Sequence, residues 1–138
     1  MNDSSKVESE LEKKGFWRGV IFAVADMVRG HGECVIAKDV LGTLGRDLHS
    51  ACRVSCEYDV LPLREVFSDL PFGEDAEYDN LRIIPLDFND KECTDTDADY
   101  YEVRGEYGNE TVIVSRFNER SSAEEFISTN TIYLTENR

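Results

Sequence analysis

Between Asp69 and Glu110 the chain sets 14 acidic residues against three bases, Arg82, Lys91 and Arg104, a balance of −11 within 42 residues. The 138 residues together carry −14, so the flanking segments are close to neutral. Like charges at this density repel one another in any compact state, so the segment must solvate its carboxylates or pair them. The same potential repels nucleic acid and anionic membranes and steers basic macromolecules inward. A basic, nucleic-acid-binding protein is the expected partner, with neither nucleic acid nor a bilayer bound directly.

The rest of the composition argues for a folded chain. Seven Phe, six Tyr and one Trp are too many aromatics for a disordered polyelectrolyte. The length suits one domain over residues 1–138, with a helical part at 1–68 and an acidic, β-rich part at 69–138. The longest apolar stretch, Val20 to Val28, is interrupted by Asp26 and flanked by Arg18 and Arg29. It is far short of the roughly 20 residues that span a bilayer. The first residues lack the basic-then-apolar layout of a secretion signal, so the cytoplasm is the expected location. There the four cysteines, Cys34, Cys52, Cys56 and Cys93, are expected to be reduced and mostly buried.

Hydrophobic spacing orders the elements. Ser5 with Glu8 forms a capping-box pattern, and Val7, Leu11, Trp17, Val20, Ile21, Val24 and Val28 follow helical spacing as far as Gly30-His31-Gly32. Gly15 and Gly19 weaken this helix and favour a break near Gly15. A second helix runs from Cys34 to a stop at Gly45, and a short third holds Asp47 to Cys52. A fourth starts near Pro62 with Leu63, Val66 and Phe67 on one face. Beyond Asp69 the pattern changes. Leu81 to Phe88 has strand composition, and Pro85 confines it to a sheet edge. Tyr100–Tyr107 and Glu110–Phe117 form a hairpin about a Gly108-Asn109 turn. Ser121 or Ser122 caps a short helix through Ile127, and Thr131–Thr135 suits a last strand. The fold class is α+β: an N-terminal cluster of short helices, then a small antiparallel sheet with one helix.

Several residue groups invite chemistry. His31-x-x-Cys34 and His49-x-x-Cys52 have the paired spacing of a tetrahedral zinc site, the alternative reading being a zinc-supported interaction module. Equally, His49, Cys52 and Cys56 fall on one helix face against a core, and buried cysteine is the expectation. Asp95-Thr-Asp-Ala-Asp99 begins like a calcium loop with Glu106 at the twelfth position, but Tyr100 stands where such a loop needs glycine. Neither histidine lies in a nucleophile signature, and neither Gly42-Thr-Leu-Gly45 nor Gly30-His-Gly32 has the lysine and spacing of a phosphate loop. No catalysis, metal or cofactor is expected.

The acidic block itself is the candidate surface. It offers Glu74, Asp75, Glu77, Asp79, Asp87, Asp90, Glu92, Asp95, Asp97, Asp99, Glu102 and Glu106, interleaved with Tyr78, Phe88, Tyr100 and Tyr101 as interface anchors. On an extended strand Asp97, Asp99 and Tyr101 share one face at about 6.6 Å per two residues, a pitch comparable with phosphates along one nucleic-acid strand. Such a row suits Lys and Arg sites built for a phosphate backbone. An exposed hairpin edge also leaves room for a homodimer.

A short, strongly acidic chain with small helices ahead of a Tyr-rich acidic hairpin resembles the anti-defence proteins of phages, including anti-CRISPR proteins and DNA mimics. Ile36-Ala-Lys-Asp-Val-Leu41, Cys56-Glu-Tyr-Asp59 and Pro62-Leu-Arg64 are similar to helical segments of phage proteins. The resemblance is one of kind and carries over no functional residue. It implies an inhibitor in the host cytoplasm that blocks the basic nucleic-acid groove of a bacterial CRISPR or other nuclease complex.

Overall fold

The computed structural model describes residues 3–32 and 34–136. Five α-helices and three strands follow in the order α1 (Asp3–His31), α2 (Cys34–Gly42), α3 (Leu48–Arg53), α4 (Glu57–Leu63), β1 (Asp79–Leu86), β2 (Tyr100–Tyr107), β3 (Glu110–Phe117) and α5 (Arg120–Glu136). This is an α+β fold with its helices mostly first and an antiparallel sheet of order β1-β2-β3 after them. The chain divides into two compact units, Met1–Val66 with Leu70–Asp75, and Phe67–Asp69 with Ala76–Arg138.

In the first unit α1 is continuous through Gly15, against the expected break. A helical glycine costs about 1 kcal/mol relative to alanine, and burial of Ile21, Val24, Ala25 and Val28 further along the same helix outweighs it. The helix begins at Asp3, ahead of the expected cap at Ser5; the side chains of Ser5 and Glu8 lie outside the described residues. The core is completed by Ala37 and Leu41 of α2, Leu48, Ala51 and Cys52 of α3, and Val60 and Leu63 of α4.

Helix α4 starts at Glu57, so Pro62 falls in its last turn rather than near its start. Proline has no N–H to return to the carbonyl four residues back, which is that of Tyr58. Arg29 of α1 supplies the donor: its Nη1 reaches Tyr58 O at 2.9 Å, its Nη2 reaches Asp59 Oδ1 at 3.0 Å, and its guanidinium lies 4.3 Å from the Tyr58 ring centre.

The returning segment 70–75 is bolted to this unit by a buried ion pair. Arg64 donates to both carboxylate oxygens of Glu57, at 2.6 and 2.8 Å, and to the carbonyls of Leu70 and Pro71 at 3.1 and 3.0 Å. Glu57 also accepts the Gly73 N–H at 2.8 Å, and Phe72 is fully buried with its ring beneath the Arg64 guanidinium. Only glycine fits at 73, because a Cβ there would lie 2.6 Å from both Glu57 N and Ser55 O.

In the second unit β1 is an edge strand, as Pro85 requires, and the β2–β3 hairpin turns at Gly108, whose φ of +65° supplies the left-handed geometry of a two-residue loop. Three expectations fail here. Helix α5 starts at Arg120, so Ser121 and Ser122 lie in its first turn rather than at its cap. Thr131–Thr135 is not a strand but part of α5, because burial of Ala123, Phe126 and Asn130 keeps a helical period that overrides the β-branched residues. Asp97 and Asp99 do not share a strand face with Tyr101: Asp95–Asp97 is a 3-10 turn and β2 begins at Tyr100. Phe117 and Phe126, with ring centres 5.3 Å apart, join the sheet to α5.

Candidate functional site

The structure distributes the acidic block in three ways. Glu74 and Asp75 belong to the helical unit, where Glu74 pairs with Arg18 at 2.8 Å and Asp75 accepts the Glu57 N–H at 2.7 Å. The other acids lie in the sheet unit. Two candidate contact residues there are not on the surface. Tyr78 is 5 % exposed, its ring 5.4 Å from that of Tyr107. Glu102 is 3 % exposed and accepts the Nε of both Arg104 and Arg116 at 2.9 Å, since a carboxylate in mid-sheet must be paired to be buried.

The described arginines of this unit are paired with neighbouring acids. Arg104 reaches on to Glu92 at 2.9 Å, Arg82 pairs with Glu106 at 3.0 Å, and Arg120 pairs with Asp95 at 2.8 Å. The Thr111 hydroxyl at 2.7 Å and then Arg82 hold the Glu106 carboxyl below its ordinary range. Carboxylates with no ion-pair partner among the described residues include Glu77 ahead of β1, Asp79 at its first position, and Asp87, Asp90, Asp97 and Asp99 in the connection from β1 to β2.

That connection is ordered by its own acids. Asp87 Oδ1 accepts the N–H groups of Asn89 and Lys91 at 2.8 and 3.1 Å, an Asx-type turn. Asp90 sits at φ +62° and accepts the Tyr100 hydroxyl, and Asp99 Oδ2 accepts the Phe88 N–H at 2.9 Å. The hydrogen bond to Asp90, then burial and the Asp90 charge, push the Tyr100 phenol up to about 12. The Tyr101 hydroxyl reaches Asp95 O at 3.4 Å. Aspartates therefore fold this loop instead of extending it, which is why no carboxylate row at strand pitch forms. Phe88, at the centre of the bonded turn, is 86 % exposed, the most exposed large apolar side chain among the described residues. In sequence Phe88 and Tyr78 look alike, each an aromatic beside aspartate, yet Tyr78 is buried.

The His/Cys set does not assemble. Among the described residues no three His, Cys, Asp or Glu side chains are grouped as metal ligands. Cys52 is fully buried in the helical core, whereas His31, Cys34 and His49 are exposed. The expectation of mostly buried cysteine is corrected as well, since Cys34 and Cys56 are exposed and Cys93 is half-buried. No helix among the described residues is long and apolar enough to cross a membrane.

Comparison with protein-family models, curated proteins and solved structures finds nothing that matches this chain.

Proposed function

We propose that the chain is a non-catalytic binding protein whose sheet unit docks on a basic, nucleic-acid-binding face of another protein. The observation that carries this reading is the ordered loop between β1 and β2, where Phe88 stands 86 % exposed among carboxylates that no arginine neutralises. An exposed aromatic ring on a preorganised turn is the kind of side chain that anchors an interface, and surrounding charge sets approach rate and specificity. With its described arginines paired internally, the unit presents negative potential that falls off over about 8 Å at physiological salt. Its resemblance in kind to acidic anti-defence proteins of phages points to a bacterial nuclease complex as the class of target.

The test is affinity capture from bacterial lysate on immobilised wild-type chain and on a variant carrying Glu77→Lys, Phe88→Ala and Asp97→Lys, each washed with rising salt. None of these three side chains holds a core contact or an ion pair, so the variant keeps its fold. The expected result is salt-sensitive retention of a nucleic-acid-handling complex by the wild type alone. Equal retention by both chains contradicts the proposal.

A further inference from the structure

The helical unit contains a cleft of about 480 Å³ that the acidic sheet surface does not use. Helix α1 lends it Arg18, Gly19 and Phe22, the α3–α4 link lends Val54 to Cys56, and the returning segment lends Glu74 and Asp75. Its wall is fixed, because Arg18 donates from Nε to Val54 O at 2.6 Å and from Nη2 to Glu74 at 2.8 Å. One side is apolar: Phe22 is 58 % exposed, and a Cβ built on Gly19 would meet nothing within 4 Å. The other side is negative. Arg18 offsets Glu74 and Arg29 offsets Asp59, but Asp75, held by the Glu57 N–H and the Cys56 thiol, has no ion-pair partner among the described residues. Burial pushes the Cys56 thiol up, a backbone hydrogen bond at Tyr58 pulls it back, and the hydrogen bond and charge of Asp75 with the charge of Asp59 add to the rise.

We infer that this cleft binds an organic cation, a guanidinium or ammonium on an aliphatic stem, with the stem along Phe22 and Gly19 and the charge beside Asp75. An exposed apolar side chain and an uncompensated carboxylate lining the same cleft complement such a group, the first covering the stem and the second pairing the charge. The ligand is either a Lys or Arg side chain of a protein or a free amine, and the two present the same chemistry to the cleft.

The experiment is an amide NMR titration of the full chain with four probes: Nα-acetyl-arginine methylamide, Nα-acetyl-lysine methylamide, putrescine and the neutral Nα-acetyl-norleucine methylamide. Saturable shifts at Gly19, Phe22, Ser55, Cys56 and Asp75 with the cationic probes, and none with norleucine, are expected. Tighter binding of the amino-acid derivatives assigns a protein side chain, and tighter binding of putrescine assigns a small amine. Asp75→Asn should weaken binding tenfold or more. Gly19→Leu should abolish it while leaving the melting temperature unchanged or raised, since leucine favours helix and its Cβ enters open space. Equal shifts with norleucine, no saturable shift with any cation, or wild-type binding by Gly19→Leu overturns the inference.

Discussion

Asp99 Oδ2 accepts the Phe88 N–H at 2.9 Å while the Asp99 N–H returns to Leu86 O at 2.8 Å. A single acidic residue thus holds the chain on both sides of Asp87, where the turn carrying the most exposed aromatic begins. Asp99→Ala removes the side-chain bond and should destabilise the chain by about 1 to 2 kcal/mol. The Phe88 amide should then exchange with solvent faster than in wild type. Asp99→Asn keeps an acceptor and should restore most of the protection. If Ala and Asn behave alike, the charge rather than the hydrogen bond holds the loop.

Glu57 and Arg64 form the buried joint of the helical unit, each with a side chain 1 % exposed. Arg64→Met strands an uncompensated carboxylate and should cost about 3 to 5 kcal/mol in urea unfolding. Glu57→Leu with Arg64→Met removes both charges and should recover much of that loss. A double variant as unstable as the single one would mean that the bonds from Arg64 to Leu70 and Pro71 matter more than the pair.

Gly73→Ala tests the same joint sterically. Its Cβ would lie 2.6 Å from two backbone atoms, which cannot move without displacing the start of α4. The expected outcome is a melting temperature well below wild type, whereas Gly19→Ala, with open space around its Cβ, should match or exceed it.

Tyr100 gives a pH signature. Its phenol is raised from the ordinary 10 to about 12 in the folded chain, so the folded state holds this proton more tightly than the unfolded one. The associated stability is fully present below pH 10 and is lost as pH rises towards 12. Ultraviolet titration should show one tyrosine ionising late, and Asp90→Asn should bring it back towards the ordinary value. A titration unchanged by Asp90→Asn would remove the Asp90 bond as its cause.

Much of the fold is legible in local sequence. The hairpin runs Tyr100–Tyr107 and Glu110–Phe117 as expected, because alternation and a Gly-Asn turn are short-range signals. Elements decided by long-range burial read less well. Gly15 breaks nothing once Ile21 to Val28 are buried, and Thr131 continues a helix set by Ala123, Phe126 and Asn130. At the candidate surface the acidic charge is visible in composition, but its use is not. Nothing local separates Glu102, neutralised beneath two arginines, from Asp97, which faces solvent. Nor does any motif announce that the Glu57–Arg64 pair is buried and bonded to Leu70, Pro71 and Gly73 of the returning segment.

The most direct measurement is competition on the captured partner: titrate nucleic acid into the preformed complex and follow release of this chain. If the acidic loop occupies the nucleic-acid-binding face, the two ligands exclude each other, and release becomes easier as salt rises. A stable ternary complex, with this chain and nucleic acid bound together at undiminished affinity, contradicts the central claim.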